Sequence, residues 1–268
     1  MTDSDYKALA GKRGLIMGVA NERSIAWGIA KVLSESGAKL AFTYQGEAFE
    51  KRIKPLAQSV GSNIVLQCDV EDSNGLQMAF DQLSKTWGTL DFIVHSIAYS
   101  DKDELNGRYV DTTPENFIRT MNISCFSFTA VAKAAYGLMK KNGGSMITLT
   151  YYGSERVLPN YNIMGVAKAA LEASVRYLAA DLGPDKIRVN AVSAGPMRTL
   201  AGSAIGSARK IYNISETNAP LRQSVTQEQL GGTALYLLSH LGSGVTGETH
   251  HVDSGYNIVG MPYLTNDN

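Results

Sequence analysis

Two phenols and an amine stand close together between Tyr151 and Lys168, where a strand-like run gives way to a helical pattern. Tyr161 and Lys168 are seven residues apart, which is about two helical turns, or roughly 10 Å, so both side chains project from one face with Met164 between them. A phenol can donate a proton, and a neighbouring ammonium can activate it electrostatically. Because this spacing also arises by chance, a catalytic role depends on the surrounding elements.

The bulk composition indicates one α/β domain. The chain has 268 residues, 44% of them hydrophobic, which suffices for a substantial core and predicts a single domain over 1–268. Lys plus Arg and Asp plus Glu are both 25, so no overall charge would attract nucleic acid or an anionic membrane. The polar N-terminal residues lack a signal-peptide pattern, and no apolar run has the length of a membrane span. We therefore expect a soluble, cytoplasmic protein.

Cysteine and histidine give no sign of a metal centre, and none is expected. Cys68 and Cys125 have no metal-type spacing, so both are interpreted as small apolar core residues. His95 lies inside a strand pattern and is interpreted as structural. His250 and His251 face opposite sides of a predicted strand, so they cannot both turn to one ligand.

The first strand and helix have the pattern of a phosphate-binding turn. The run 14–17 predicts a buried strand, followed by Gly18 and by a helix that opens at Ser24 and Ile25. Gly18 permits a tight turn, Ser24 offers a hydroxyl and an N-cap, and the amides around Ile25 can face an anion. Gly28 would let the helix pack close to the sheet. The middle glycine of the usual dinucleotide motif is missing, so an ordinary capped helix remains an alternative.

The next two strands end in residues suited to an adenosine. Gln45 follows the second strand, 39–44, where dinucleotide-binding folds often place an acidic residue on the ribose. Gln45 is neutral and has no directly adjacent cation for a 2′-phosphate, which favours NADH over NADPH. Asp69 and Val70 follow the third strand, 63–68. The Asp69 carboxylate could accept from the adenine amino group or cap the helix over 72–87.

The fourth strand, 90–95, is followed by the turn Ser96-Ile97-Ala98, whose small residues would let a flat ligand lie close. A surface loop is predicted over 100–113, with Tyr99 and Leu105 as its apolar anchors. An uninterrupted helix is predicted from 114 to 139.

The fifth strand, 145–150, delivers Tyr151 to the carboxyl edge of the sheet, and the following helix carries Tyr161 and Lys168. After a sixth strand, 186–193, comes a turn that contains Met197 and Thr199. Its backbone can face a nicotinamide carboxamide, and the Thr199 hydroxyl can reach a phosphate.

Residues 197–217 are predicted to form a lid over an apolar substrate. An apolar face there includes Ala201 and Ile205, and two glycines loosen it. A surface helix packed on its own domain is the alternative. Arg209 and Lys210 fall on the polar side, where they could receive an acidic carrier or could be ordinary solvated charges.

Together these elements predict a Rossmann-type, doubly wound parallel sheet of about seven strands with helices on both faces. The signature Tyr161-x-x-Met164-x-x-x-Lys168 resembles the divergent branch of the short-chain dehydrogenase/reductase superfamily. With Gly18-x5-Ser24, Gln45, Asp69-Val70, Ser96-Ile97 and Arg198-Thr199, the chain is similar to the enoyl-acyl-carrier-protein reductases of that branch over nearly its whole length.

The resemblance implies a reaction and a set of site residues. The reaction is hydride transfer from NADH to the β-carbon of a 2-enoyl thioester on acyl carrier protein in fatty-acid elongation, by a homotetramer. Tyr161 would stabilise the enolate, Lys168 would hold the nicotinamide ribose and lower the phenol's pKa, and Tyr151 would orient the substrate or relay a proton. The implied NADH contacts are Gly18, Ser24, Ile25, Gln45, Asp69, Val70, Ser96, Ile97, Lys168, Met197 and Thr199. The implied substrate contacts are Ala98, Tyr99, Leu105, Tyr151, Tyr161, Met164, Ala201 and Ile205.

Two residues depart from the family pattern. Ala98 stands where many relatives carry Gly, which would narrow the space beside the nicotinamide. Gly206 stands where some relatives have a basic residue that is thought to meet the carrier protein. Only Arg209 and Lys210 would then form the basic surface for the carrier, which would bind it more weakly.

Two other functions fit the same fold. A carbonyl reductase normally has a serine about thirteen residues before its tyrosine; Thr148 holds that position here, and the long Tyr161-to-Lys168 spacing argues against this reading. A dinucleotide-binding protein without catalysis is disfavoured by the intact Tyr161 and Lys168 pair.

Overall fold

The computed structural model describes residues 7–199 and 208–261, and at 208–210 it describes the backbone. The elements in chain order are β1 Arg13–Met17, α1 Ile25–Glu35, β2 Lys39–Tyr44, α2 Glu47–Ser59, β3 Val65–Gln67, α3 Ser73–Trp87, β4 Phe92–His95, α4 Lys102–Leu105, α5 Pro114–Met121, α6 Ser127–Met139, β5 Gly144–Thr150, α7 Asn162–Leu182, β6 Ile187–Ala194, α8 Ala208–Asn218, α9 Gln227–Leu238 and β7 Thr249–Val252.

The seven strands form one sheet in the order β3-β2-β1-β4-β5-β6-β7, and every neighbouring pair is parallel. This order, with crossovers on either side of β1, is that of a doubly wound dinucleotide-binding sheet, so the predicted fold class is confirmed. Ligands of such sheets bind at the carboxyl ends of the strands near the reversal between β1 and β4.

Hydrophobic cores cover both faces of the sheet, as the continuous apolar strands require. On one face α3, α6 and α7 contribute Phe80, Phe128 and Leu171. On the other face α1, α2 and α9 contribute Ile29, Ile53 and Leu230. Both cysteines are buried, as expected for core residues.

Several predicted elements differ locally from the structure. The helix predicted over 114–139 contains a π-helical stretch, Asn122–Phe126, between α5 and α6. The loop predicted over 100–113 contains α4 and a 3-10 turn, Tyr109–Asp111. β3 is shorter than the predicted strand because only three of its residues pair with β2.

Candidate active site

The turn between β1 and α1 is folded around the Ser24 hydroxyl. Its oxygen accepts from the backbone amides of Ala20 at 3.0 Å and Asn21 at 3.1 Å. The predicted side-chain N-cap is therefore wrong: α1 has no side-chain cap bond, because the hydroxyl is occupied in the preceding loop. α1 begins at Ile25 at the carboxyl end of β1, and the first amides of a helix suit an anion there.

Two glycines allow close approaches around this turn. Gly18 has φ 94°, and a Cβ at this position would overlap the Ser96 carbonyl oxygen. The turn after β1 is thus packed directly on the turn after β4. A Cβ at Gly28 would overlap the Gln227 side chain of α9. Gly28 therefore serves the packing of α1 on α9, and the predicted close approach to the sheet is wrong.

Gln45 and Asp69 meet at the ends of β2 and β3. The Gln45 amide donates to Asp69 Oδ2 at 3.0 Å, and Asp69 Oδ1 accepts from the backbone amide of Glu71. The cap of α3 is Asp72, which accepts from the Asn74 amide, so the capping alternative for Asp69 is wrong. Val70 packs against the core below.

The turn after β4 separates into a buried and an exposed part. Ser96 and Ile97 are half-buried, whereas Ala98 and Tyr99 are exposed. The Tyr99 hydroxyl donates to Asp101 at 2.8 Å, and the Arg119 guanidinium lies 4.5 Å from the centre of the Tyr99 ring. Tyr99 is therefore not the apolar anchor predicted for this loop.

Tyr161 lies immediately before α7, between two residues in the left-handed region. Asn160 has φ 61° and Asn162 has φ 38°, and non-glycine residues held there often mark functional sites. The Tyr161 side chain is only 7% exposed, and its ring meets the Tyr151 ring edge to face with centres 5.2 Å apart. The structure thus brings together the two phenols that the sequence singled out.

An apolar cluster surrounds the Tyr161 ring, and it contains Leu105, Ile163, Met164, Tyr151 and Leu158. Leu105, the last residue of α4, is 5% exposed. The Asn162 amide holds α4 in place by donating to three backbone carbonyls at 3.2 to 3.4 Å, those of Glu104, Leu105 and Gly107. Three of the predicted substrate contacts, Leu105, Met164 and Tyr151, therefore lie around the Tyr161 ring.

Burial keeps the two phenols neutral. Loss of solvent contact is the main reason that the pKa of Tyr161 and the pKa of Tyr151 both lie well above the ordinary value for tyrosine. The neighbouring Tyr151 and Glu172 raise the pKa of Tyr161 further. Lys168 is not among the groups that shift the pKa of Tyr161, so its lowering of this pKa stays a prediction. Tyr161 is a protonated hydrogen-bond donor at neutral pH.

Lys168 is a buried amine on α7. It is 6% exposed, and its Nζ donates to the Leu149 carbonyl in β5 at 2.8 Å. Burial lowers the pKa of Lys168 to about 8, while Cys125 and Glu172 oppose this shift. The ammonium form therefore still predominates at neutral pH.

His95 has the structural role that the sequence indicated. Its two ring nitrogens bond the hydroxyls of Thr148 at 3.0 Å and Ser127 at 2.9 Å, and burial lowers its pKa to about 3. Thr148, which stands at the serine position of the carbonyl reductases, also donates to the His95 carbonyl at 3.3 Å. Its hydroxyl is thus engaged inside the sheet.

The remaining predicted residues lie at the far side of the site. Met197 packs against the core, and its carbonyl accepts from the Thr199 amide and from the Tyr212 hydroxyl of α8, both at 2.8 Å. Ala201, Ile205 and Gly206 lie outside the described residues. Arg209 and Lys210 lie in the first turn of α8, where only the backbone is described.

Glu172 and Gly153 were missed from the sequence. The Glu172 carboxylate is buried and accepts from Thr150 and Ser154, and Gly153 lies against the Tyr161 ring. The available signal for Glu172 was an acidic residue four places after Lys168, on the same face of the helix as the buried lysine. Gly153 gave none, because its neighbour Tyr161 is brought to it only by folding.

Neither a metal cluster nor a membrane helix occurs in the described part of the chain. No group of three or more His, Cys, Asp or Glu residues there could hold a metal ion. None of the helices described is long and apolar enough to cross a membrane. His251 pairs with Glu155 at 2.7 Å, and the His250 ring lies beside the Tyr236 ring.

Comparison with known proteins places this geometry in a family. A family model described as enoyl-(acyl carrier protein) reductase matches residues 18–257. Enoyl-(acyl-carrier-protein) reductase (NADH) 2 of Rhizobium meliloti (strain 1021) is 64% identical over 254 residues, covering 95% of this chain and 94% of that protein.

Solved structures agree. The crystal structure of the Anaplasma phagocytophilum enoyl-(acyl-carrier-protein) reductase in complex with NAD has a TM-score of 0.93 at 55% identity, covering 96% of this chain and 98% of that one. The Bacillus cereus enoyl-acyl carrier protein reductase with NADP+ and indole naphthyridinone has a TM-score of 0.93 at 50% identity, covering 95% and 100%. With the paired phenols and the buried lysine in the matched region, the chain belongs to the enoyl-acyl-carrier-protein reductase family.

Proposed function

We propose that this protein reduces trans-2-enoyl thioesters on acyl carrier protein with NADH, the reductive step of fatty-acid elongation. The observation that carries the proposal is the edge-to-face contact between the buried Tyr161 and the half-buried Tyr151 at the start of α7, the helix that carries the buried Lys168. Membership of the family and the NADH-dependent relative support the reaction and the cofactor.

The residues of the site fit a dinucleotide. The N-terminus of α1 after Gly18 suits the pyrophosphate, and the linked Gln45 and Asp69 side chains offer a donor and an acceptor to an adenosine. The Lys168 ammonium suits ribose hydroxyls. We assign the NADH contacts to these residues and to Ser24, Ile25, Val70, Ser96, Ile97, Met197 and Thr199. When bound, NADH supplies the hydride.

Tyr161 is proposed to stabilise the developing enolate. Hydride addition at the β-carbon moves negative charge to the thioester oxygen, and a neutral phenol can donate to that oxygen. A hydrogen bond that strengthens in the transition state is worth about 3 kcal/mol. The raised pKa of Tyr161 keeps the proton in place for this role. Tyr151, whose ring meets the Tyr161 ring, is proposed to orient the acyl chain or to relay the α-carbon proton.

The test is the rate of NADH oxidation with a series of enoyl thioesters of increasing chain length. Tyr161→Phe should lower kcat about 100-fold, the loss of about 3 kcal/mol, while the NADH dissociation constant stays nearly the same. Lys168→Ala should weaken NADH binding. Tyr177→Phe, at an exposed tyrosine of α7, is the matched control. A Tyr161→Phe enzyme with wild-type kcat would remove Tyr161 from the mechanism.

The same assay separates the competing functions. Crotonyl thioester should be reduced and acetoacetyl thioester should not, whereas a carbonyl reductase would show the reverse. Replacement of NADH by NADPH tests the cofactor preference, which we assign to the neutral Gln45. NADH binding without oxidation by any enoyl thioester would indicate a non-catalytic dinucleotide-binding protein.

We also propose that the chain is a single domain spanning 1–268 and that residues 197–217 form its substrate lid. The residues proposed to contact the acyl chain are Ala98, Tyr99, Leu105, Met164, Ala201 and Ile205. Within this segment the Tyr212 hydroxyl donates to the Met197 carbonyl, which ties α8 to the residues that follow β6. Arg209 and Lys210 are proposed to meet the acidic carrier protein. Reversing both charges should raise KM for the carrier-bound substrate but not for a small thioester.

A cytoplasmic homotetramer is proposed for the assembly. Large apolar side chains lie exposed along α5 and the π-helical stretch, among them Ile118 and Phe126, and burial of such a surface between copies would stabilise an oligomer. Light scattering during size-exclusion chromatography measures the mass, and a monomer would contradict the proposal.

A further inference from the structure

A buried carboxylate on α7 has no role in the proposed mechanism. Glu172 of α7 is 8% exposed. It accepts one hydrogen bond from Thr150 Oγ1 at 2.6 Å and one from Ser154 Oγ at 2.5 Å, both to Oε1. Hydrogen bonds from a hydroxyl to an ionised carboxylate are short and roughly twice as strong as neutral ones.

The two hydroxyls bracket the segment that carries Tyr151. Thr150 is the last residue of β5, and Ser154 ends the 3-10 turn Tyr152–Ser154. One carboxylate therefore ties both ends of the Tyr151–Gly153 segment to α7. α7 carries Lys168 and begins directly after Tyr161, so the bracket joins the two halves of the site.

Gly153, inside the bracket, sets the position of the Tyr161 ring. A Cβ on Gly153 would lie 2.6 Å from Tyr161 Cε1, and a Cβ on Gly165 would lie 2.7 Å from the Gly153 carbonyl oxygen. The segment is thus wedged between the ring and α7 with no space to spare. A movement of the Tyr151–Gly153 segment toward or away from α7 must therefore move the Tyr161 ring, the Tyr151 ring or both.

Glu172 also contributes to the electrostatics of the site. The groups that face Lys168 are Glu172 on α7, Cys125 in the π-helical stretch and His95 on β4. Among them Cys125 and Glu172 raise the pKa of Lys168 against the effect of burial. Removal of the carboxylate charge should therefore lower the pH at which Lys168 loses its proton.

We propose that Glu172 is a positioning residue for the reaction, which fixes the relative placement of the Tyr151 and Tyr161 rings through its bonds to Thr150 and Ser154. The proposal rests on the proposed function for its kinetic consequences, but the placement of the rings can be measured without turnover.

Thr150→Val removes one donor, and Thr150→Ser keeps it, so the two variants form a matched pair. Ser154→Ala removes the other donor from a less buried position. In Thr150→Val and Ser154→Ala we expect kcat for crotonyl thioester to fall about tenfold, the effect of losing one hydrogen bond of about 1.4 kcal/mol, with the NADH dissociation constant within about twofold. Thr150→Ser should retain the wild-type kcat.

Glu172→Gln keeps the shape and an acceptor oxygen but loses the charge. We expect the high-pH limb of its kcat/KM profile to lie at lower pH than in the wild type, whereas Thr150→Val should leave that limb in place. If Glu172 only stabilised the fold, the high-pH limb of the kcat/KM profile would not differ between Glu172→Gln and Thr150→Val.

Fluorine NMR of fluorotyrosine-labelled protein reports ring placement directly, with Tyr151 and Tyr161 resonances assigned by Tyr→Phe variants. Both resonances should shift in Thr150→Val and stay in place in Thr150→Ser. Unchanged resonances and wild-type kcat in folded Thr150→Val and Ser154→Ala would overturn the proposal. Should Thr150→Val fail to fold, the same readouts on Ser154→Ala decide. A wild-type protein that reduces no enoyl thioester, but whose variants show the shifts, would refute the proposed function and leave the positioning role intact.

Discussion

Replacement of Gly153 by alanine is the most direct test of the geometry around Tyr161. The added Cβ would lie 2.6 Å from Cε1 of the Tyr161 ring and closer still to Cδ1. Carbon atoms in contact are at best about 3.5 to 4.0 Å apart, so the ring or the segment must give way by about 1 Å. Gly153 is not in the left-handed region, so the backbone itself tolerates alanine.

The Tyr161 ring has little freedom to accommodate this change. It is enclosed by Tyr151, Leu105 and Met164, and overpacking of such a cluster typically costs about 1 to 3 kcal/mol of stability. Misplacement of a reacting group by about 1 Å can cost about 100-fold in rate, or about 3 kcal/mol. We expect Gly153→Ala to lower kcat by about this factor while NADH binding changes by less than about twofold.

The assay is steady-state NADH oxidation with crotonyl thioester, accompanied by NADH titration and thermal unfolding. Gly137→Ala in α6 is the matched control, because nothing lies within 4 Å of a Cβ placed there. A helical glycine replaced by alanine should gain about 0.5 to 1 kcal/mol of stability at wild-type activity. A folded Gly153→Ala enzyme with wild-type kcat would refute the claim that this contact positions the phenol.

Three further outcomes are expected. Burial lowers the pKa of Lys168 from its ordinary 10.5 to about 8, so NADH binding should weaken as the pH rises through about 8. Between about pH 8 and pH 10.5 the unfolded chain keeps a proton that the folded chain has lost, so the Lys168 contribution to stability should rise with pH across that window. NADH titration across this pH range measures binding, and denaturant unfolding of the wild type and of Lys168→Ala measures the stability contribution. An NADH affinity that does not change with pH would contradict the predicted weakening. Asn162→Asp tolerates the backbone conformation but cannot donate to the carbonyls of Glu104, Leu105 and Gly107. KM for a long enoyl thioester should therefore rise about tenfold with a smaller change in kcat; equal losses in both would argue against a role in holding α4. Ser24→Ala leaves two loop amides without their acceptor, so the NADH dissociation constant should rise about tenfold, and isothermal titration showing wild-type affinity would refute that loop's role.

Much of the fold follows from local patterns in the sequence. Apolar runs bounded by glycine placed the strands, and the alternation with helices predicted the parallel sheet. The residues at the strand ends could be named because parallel strands deliver them to one edge. Local misreadings came from competing partners: the Ser24 hydroxyl bonds the preceding loop instead of capping α1, and Asp72 rather than Asp69 caps α3.

The sequence by itself determined the types and order of the reactive groups, since Tyr151, Tyr161 and Lys168 owe their proximity to a strand end and the helix that follows. Only the tertiary structure decided the state of those groups. Burial raises the pKa of the phenols and lowers that of the lysine, and burial depends on residues distant in sequence, such as Leu105. The fit of Gly153 against the Tyr161 ring and the bracket made by Glu172 likewise arise only where separate segments are packed together, because side-chain contacts at this distance are a property of the folded core and not of local spacing.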